Sequence, residues 1–404
     1  MNRGRLLALI TTGHAAEHWY LGIFGPVLPF LVKDLNISLT EVGILYTGRS
    51  VFSALSSAST GYAIDRLGGG KWVLVVCLAG IAVFYGGMSM ASGLISLIPL
   101  FWLSGLFSHL WHPPSMGLLG ERFTDRRGFA LGLHGTGANI SQTLAPLAAG
   151  YLLLIMDWRA TLLVNMTPLM LAALLLGVLL PPFSLKQTQP QGPGVPRRAH
   201  FSLLKDPAFG ATALIAGALT IGHHGLIIFL PILLMKKHAA GPEWIGLCLG
   251  LYAASAIIPE AIVGYVSDRI SRKFVLVFGL TVGGLSLVAI PAAAHGSLII
   301  LPLVILGVFL RSLRPVIFAH ALDTSPPHLK ASTVGFLFTT NQCFTATGPL
   351  LAGMLSDYYG VDAALWFFGG LTLGILPLFA FLPNFSEKSK KRSVAVDEGD
   401  SMTL

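Results

Sequence analysis

Ionisable side chains are scarce in this chain, and many of them fall where water should not reach. Eight of the 12 histidines lie inside long apolar runs: His14, His18, His109, His112, His134, His223, His224 and His320. His14, Glu17 and His18 are spaced i, i+3 and i+4, which puts them on one face of a helix. His109 and His112 are one turn apart, and so are Arg311 and Arg314. Ionisable groups in apolar surroundings are costly, and they face a cavity, a partner or an ion path.

The residue types suggest the chemistry. Arg is always charged and offers a planar donor fork suited to carboxylate or phosphate. Arg311 and Arg314 are therefore candidates to hold an anionic ligand, or to form a structural ion pair with Glu260. Glu17 can carry a proton. His14 can share it, because imidazole titrates near neutral pH. Glu260 is the competing proton carrier. His18, His109, His112, His223 and His224 are candidate ligand contacts. Asn139 and Asn341, with their neighbours Gln142 and Gln342, either bond a ligand or tie helices together. His134 and His320 are read as helix-to-helix hydrogen bonders. His14-Ala15-Ala16-Glu17-His18 also fits an H-x-x-E-H metalloenzyme pattern. No third ligand is evident, and no resident metal or cofactor is assigned. Transition-metal binding by this cluster with His223 or His224 stays open, since imidazole and carboxylate suit such ions.

The elements that must carry these groups are membrane helices. The chain has 404 residues, 54% hydrophobic and 11% charged, against about 25% charged in a soluble domain. Each of the three cysteines, Cys77, Cys248 and Cys343, sits in an apolar run, so neither a disulfide framework nor a zinc ribbon is expected. A crossing helix needs about 20 mostly apolar residues. Twelve such spans are predicted, at 7–32, 41–64, 72–92, 96–119, 128–155, 160–180, 208–234, 243–266, 274–294, 298–321, 331–356 and 363–382. The first is read as a retained helix, not a cleaved signal. Residues 183–206 form a Pro- and Arg-bearing linker. It divides a bundle at 1–182 from a second at 207–385, and a charged tail at 386–404 is expected to be disordered.

Lys and Arg gather on the cytoplasmic side of membrane proteins. With both termini inside, only Lys33, Arg159, Lys236 and Lys237 fall outside. Arg49, Arg311 and Arg314 lie within spans. The net charge of +8 is then a topology signal, and nucleic acid is not needed to explain it. Arg49, in the outer third of span 2, is a candidate gate residue.

The two halves repeat. Gly61, Tyr62, Asp65 and Arg66 recur 203 residues later as Gly264, Tyr265, Asp268 and Arg269, and Pro146 and Gly150 recur as Pro349 and Gly353. At an offset of 202, Gly105, Phe107 and Pro113 match Gly307, Phe309 and Pro315, and His109 and His112 match Arg311 and Arg314. Repeated bundles place a binding site near the bilayer midplane, with access alternating as one rocks against the other.

Gly61-Tyr62-Ala63-Ile64-Asp65-Arg66-Leu67-Gly68-Gly69-Gly70-Lys71 resembles the signature loop of the major facilitator superfamily, between helices 2 and 3. Gly264-Tyr265-Val266-Ser267-Asp268-Arg269-Ile270-Ser271-Arg272-Lys273 resembles its second copy. The resemblance implies a gating latch for Asp65 and Arg66, and a weaker one for Asp268 and Arg269. It also implies that helices 1, 4, 7 and 10 surround a central cavity, and each of these carries ionisable groups near its midpoint. Ser141, Ala145-Pro146 and Ala149-Gly150 are similar to a relaxed antiporter motif. Leu110-Trp111-His112-Pro113, Arg126-Arg127-Gly128 and Gly135-Thr136-Gly137-Ala138-Asn139 resemble the fosmidomycin-resistance exporters.

The expectation is an all-α membrane protein with twelve transmembrane helices in two pseudo-symmetric six-helix bundles. It would sit in the inner (plasma) membrane as a monomer and export a small organic anion against protons, without enzymatic activity. A carrier of a metal ion or chelate is the alternative, and an intramembrane metalloenzyme is the reading from another class.

Overall fold

The structure, a computed structural model, describes residues 1–66, 69–183, 203–293, 296–326 and 329–382. The expected tail and most of the expected linker lie outside these residues, as do Leu67 and Gly68 of the signature loop.

Every regular element among the described residues is helical. In chain order they are α1 (Arg3–Asp34), α2 (Leu39–Arg66), α3 (Gly70–Gly87), α4 (Leu94–Ser108), α5 (His112–Arg122), α6 (Arg127–Leu152), α7 (Trp158–Leu179), α8 (Pro207–His238), α9 (Pro242–Ala254), α10 (Ile257–Arg269), α11 (Arg272–Ala289), α12 (Ile300–Phe309), α13 (Arg314–Thr324), α14 (Lys330–Tyr359) and α15 (Asp362–Gly374). Among the described residues, 8 helical stretches suffice by length and composition to cross a membrane. Three of these join consecutive helices across a short break: α4 with α5, α9 with α10, and α12 with α13. The long α1, α2, α6 and α14 are more polar.

The breaks have a covalent cause. A proline lacks an N–H and clashes with the carbonyl four residues back. Pro113 sits beside the start of α5 and Pro315 beside the start of α13. The carbonyls four residues back belong to His109 and Arg311. A 3₁₀ turn at Arg311–Leu313 fills the second break. Pro259 stands in the same relation to Ser255, in the gap before α10. The helices are thus interrupted where they carry His109, His112, Arg311, Arg314 and Glu260.

By its contacts, the chain divides into two compact units: residues 1–191 with 227–254 and 345–364, and residues 192–226 with 255–344 and 365–404. In the first unit, α1 and α6 pack closely. A Cβ on Gly137 would stand 2.8 Å from the Thr11 carbonyl oxygen, so only glycine allows this approach. Likewise, a Cβ on Gly246 of α9 would stand 2.4 Å from the Pro146 carbonyl oxygen of α6. The small residues around Pro146 therefore serve tight helix contact.

The start of α2 is capped twice. Ser38 and Glu41 form a reciprocal pair: Ser38 N–H donates to the Glu41 carboxylate at 2.7 Å, and Glu41 N–H donates to Ser38 Oγ at 3.1 Å. Asp357, near the end of α14, accepts from Leu39 N–H at 2.9 Å and Thr40 N–H at 2.7 Å. Partial burial would push the Asp357 carboxyl up. The donors of Thr40 and Leu39 outweigh it and hold the group below the ordinary carboxylate range.

Candidate functional site

The first unit gathers a histidine cluster. Gly13 leaves room for Trp111: a Cβ there would stand 2.3 Å from the indole ring. Trp111 is fully buried, and it fixes the turn from which His112 projects. The close α1–α6 approach sets His14 against α6. His14 Nδ1 donates to the His134 carbonyl at 2.8 Å, and the two imidazoles stack at 3.9 Å between centroids. His18 meets His14 edge-on at 4.7 Å, and His112 does so at 5.4 Å. His109 lies 6.3 Å from His112, with its ring nearly parallel.

Glu17 is 2% exposed, and its carboxylate lies 3.3 Å from His18 Nε2. The Gln142 amide reaches His18 Nδ1 at 3.1 Å. Asn139 is half-buried one turn earlier on α6, where its carbonyl accepts from Thr143. Glu17 thus sits inside protein, against an imidazole and within electrostatic reach of Arg49. A buried charge of this kind is stabilised by such partners or neutralised by a proton.

Arg49 is half-buried. Its guanidinium donates to Tyr20 Oη at 2.5 Å and lies over the Tyr20 and Phe101 rings at 5.5 and 5.9 Å.

The second unit holds the other group. Arg311 and Arg314 lie within electrostatic reach of both Glu260 and His223. Arg314 is exposed, and Arg311, Glu260 and His223 are half-buried. His223 and His224 meet edge-on at 5.2 Å, and His224 Nδ1 donates to the Thr220 carbonyl at 2.9 Å. Asn341 is buried on α14, its Oδ1 without a hydrogen-bond partner.

Of the gating candidates, Asp268 pairs with Arg272 at 2.8 Å, and Arg272 also pairs with Asp323 at 2.8 Å. Arg269 lies over the Tyr265 ring at 4.5 Å. Asp65 and Arg66 end α2, and their side chains lie outside the described residues.

Sequence reasoning read His134 only as a helix-to-helix hydrogen bonder, and did not single out Tyr20. His134 contributes a stacking ring and the carbonyl that orients His14. Tyr20 holds Arg49. Both face partners on other helices, and no spacing along the chain reveals such a partner.

The sequence profile of the Major Facilitator Superfamily matches residues 10–258 and 213–400. The chain belongs to this superfamily. It is a membrane transporter of metabolites or similar substrates, and the H-x-x-E-H enzyme reading falls away. A putative metabolite transport protein of Haemophilus influenzae is 25% identical over 363 residues, covering 87% of this chain and 89% of that protein. A cis,cis-muconate transport protein of Acinetobacter baylyi is 22% identical over 334 residues, covering 80% of each. The crystal structure of the nucleoside transporter NupG shares the fold with a TM-score of 0.74, at 13% identity over 94% of this chain and 98% of that one.

Proposed function

We propose that this superfamily member is a proton-coupled exporter of a small organic anion, working by alternating access as a monomer in the inner (plasma) membrane, with both termini cytoplasmic. The observation that carries the reading is the separation of two chemistries. Glu17, almost wholly buried and touching His18, is suited to hold and release a proton. Arg311 and Arg314, near Glu260 and His223, are suited to bind an anion through charge-assisted hydrogen bonds. His18, His109, His112, His223, His224, Asn139 and Asn341 supply further contacts in this scheme, and His14 and Glu260 assist the proton.

Two relatives support parts of this. The Acinetobacter baylyi protein carries an organic anion by its name. A tetracenomycin C resistance and export protein of Streptomyces glaucescens is 28% identical over 153 residues, 38% of this chain. The Trp111-His112-Pro113 and Arg126-Arg127-Gly128 segments favour the fosmidomycin-resistance type. Gating is assigned to Asp65, Arg66, Asp268, Arg269 and Arg49.

The test is counterflow in proteoliposomes against a panel of organic anions, under an imposed pH gradient. Uptake of at least one anion should follow the gradient. Arg314→Ala should weaken its apparent affinity about tenfold or more, the loss expected for one charge-assisted contact of about 1.5–3 kcal/mol. If Arg314→Ala and Arg311→Ala both leave anion uptake intact, the anion site is elsewhere.

A further inference from the structure

The histidine cluster of the first unit has a geometry that proton handling does not require. His14, His18 and His112 each offer one ring nitrogen, and the three nitrogens lie within 4.8 Å of one another. We propose that these three residues, with the Glu17 carboxylate, form a site for one divalent transition-metal ion of the Zn²⁺, Co²⁺ or Ni²⁺ type. This site shares Glu17, His14, His18 and His112 with the proton and contact roles proposed above, and does not involve Arg311 or Arg314, which carry the anion reading.

His14 is set up as a ligand. Its Nδ1 faces a backbone carbonyl, an acceptor only, so Nδ1 must carry the hydrogen. The lone pair is therefore on Nε2. That atom is buried and has no hydrogen-bond partner. A metal-binding histidine is usually oriented in this way, with its other nitrogen donating to a carbonyl or carboxylate. An unmet buried nitrogen otherwise goes uncompensated.

The other positions fit the same centre. His18 Nε2 and Glu17 Oε2 are 3.3 Å apart. Two ligands at about 2.0–2.1 Å on one tetrahedral ion stand roughly 3.3 Å apart, so this pair already has the required spacing. A half-turn of the Gln142 amide places its oxygen on His18 Nδ1–H and leaves the lone pair on Nε2. Gln142 then plays for His18 the part that the His134 carbonyl plays for His14. His112 completes the set from the start of α5. It is partly exposed, which gives an ion its route in. Binding of the ion would draw the three nitrogens, now within 4.8 Å of one another, inward by rotation of their side chains. Three imidazoles and one carboxylate suit Zn²⁺, Co²⁺ or Ni²⁺, and do not suit Mg²⁺ or Ca²⁺.

The experiment uses the full chain, purified in detergent without a polyhistidine tag. Co²⁺ is added while the visible spectrum is recorded, and Zn²⁺ binding is measured by calorimetry. The expected result is one saturable site, with the intense visible bands of four-coordinate Co²⁺ that Zn²⁺ abolishes. His14→Asn and His112→Asn should each weaken binding about 100-fold or more, beyond the 10–100-fold that outer partners cost. Gln142→Leu should weaken it about tenfold. His238→Asn, at the end of α8, should change nothing. His112 is partly exposed at a helix start, so its variant keeps the test usable if His14→Asn fails to elute as a folded monomer. No saturable binding, or binding unchanged in His112→Asn, overturns the proposal. No transport is measured, so failure here leaves the anion reading standing, and failure of that reading leaves this one.

Discussion

On the proposed reading, Glu17 is the group that ties movement of an anion to protons. Gln keeps its shape and hydrogen bonding but cannot ionise. In Glu17→Gln, accumulation driven by a pH gradient should fall to the background of empty vesicles, while counterflow, which needs no net proton movement, should persist within a few-fold. Parallel uptake assays in the same proteoliposomes check this. Equal loss of both activities would instead mark Glu17 as a structural group. The residue types were legible in the sequence, because His14, Glu17 and His18 share a face at helical spacing. Their surroundings were not. The His134 carbonyl and the Gln142 amide approach from α6, and Arg49 of α2 reaches the Tyr20 hydroxyl on α1. Approaches of that kind depend on packing, not on spacing along one chain segment. Cluster membership was also only half visible, since His134 was read as a helix-to-helix hydrogen bonder and not as a member of the His14 cluster.

At the scale of elements, glycine and proline locate the site more firmly than hydropathy does. The spans expected at 96–119, 243–266 and 298–321 are each two helices joined at a break, and the prolines that cause the breaks stand beside the candidate site residues. Hydropathy averages over such a break. The α1–α6 contact rests on Gly137. Gly137→Val would press a side chain into the Thr11 backbone, 2.8 Å from the first added carbon. The cost should be about 1–3 kcal/mol, read as a lower unfolding temperature together with loss of the α1–α6 register that seats His14. The cap on α2 makes a separate claim with a defined pH sign. Asp357 has a lower pKa in the folded chain than when unfolded. Its stabilisation is therefore present above about pH 4 and is lost as pH falls through the folded value. Asn keeps only one of the two acceptor oxygens and no charge, so Asp357→Asn should lower stability by about 1 kcal/mol at neutral pH, the worth of one hydrogen bond. The difference from the parent should shrink as the pH is lowered below about 4. Thermal unfolding of both proteins across that range measures it, and a difference constant with pH would count against a charged cap.

At the scale of the molecule, the repeat and the contacts divide the chain differently. The covalent repeat separates residues 1–182 from 207–385. The contacts group 227–254 and 345–364 with the first half, because α9 packs backbone-close on α6 and α2 is joined to the end of α14. Thr47 donates to the Ala346 carbonyl, Ser50 donates to the Thr345 carbonyl at 3.3 Å, and Asp357 caps α2. A Cβ on Gly353 would stand 2.2 Å from the Leu39 carbonyl oxygen, so the two helices touch through backbone. The sequence could not show this. Its symmetry reports how the chain was duplicated, whereas contacts between repeats depend on the conformation adopted. If the two sixfold repeats are the bodies that rock, this seam must part once in every transport cycle. It can be locked covalently. Thr47→Cys with Ala346→Cys, in a chain whose native cysteines at 77, 248 and 343 are replaced by Ser or Ala, places two thiols at an existing side-chain-to-backbone contact. Oxidation should form the bridge and cut anion uptake to background, and reduction should restore it. Each single-cysteine chain should be indifferent to oxidant. Transport that continues at full rate with the bridge formed, verified by mobility on a non-reducing gel, would mean that the α2–α14 seam stays shut throughout and that access to the site alternates by another movement.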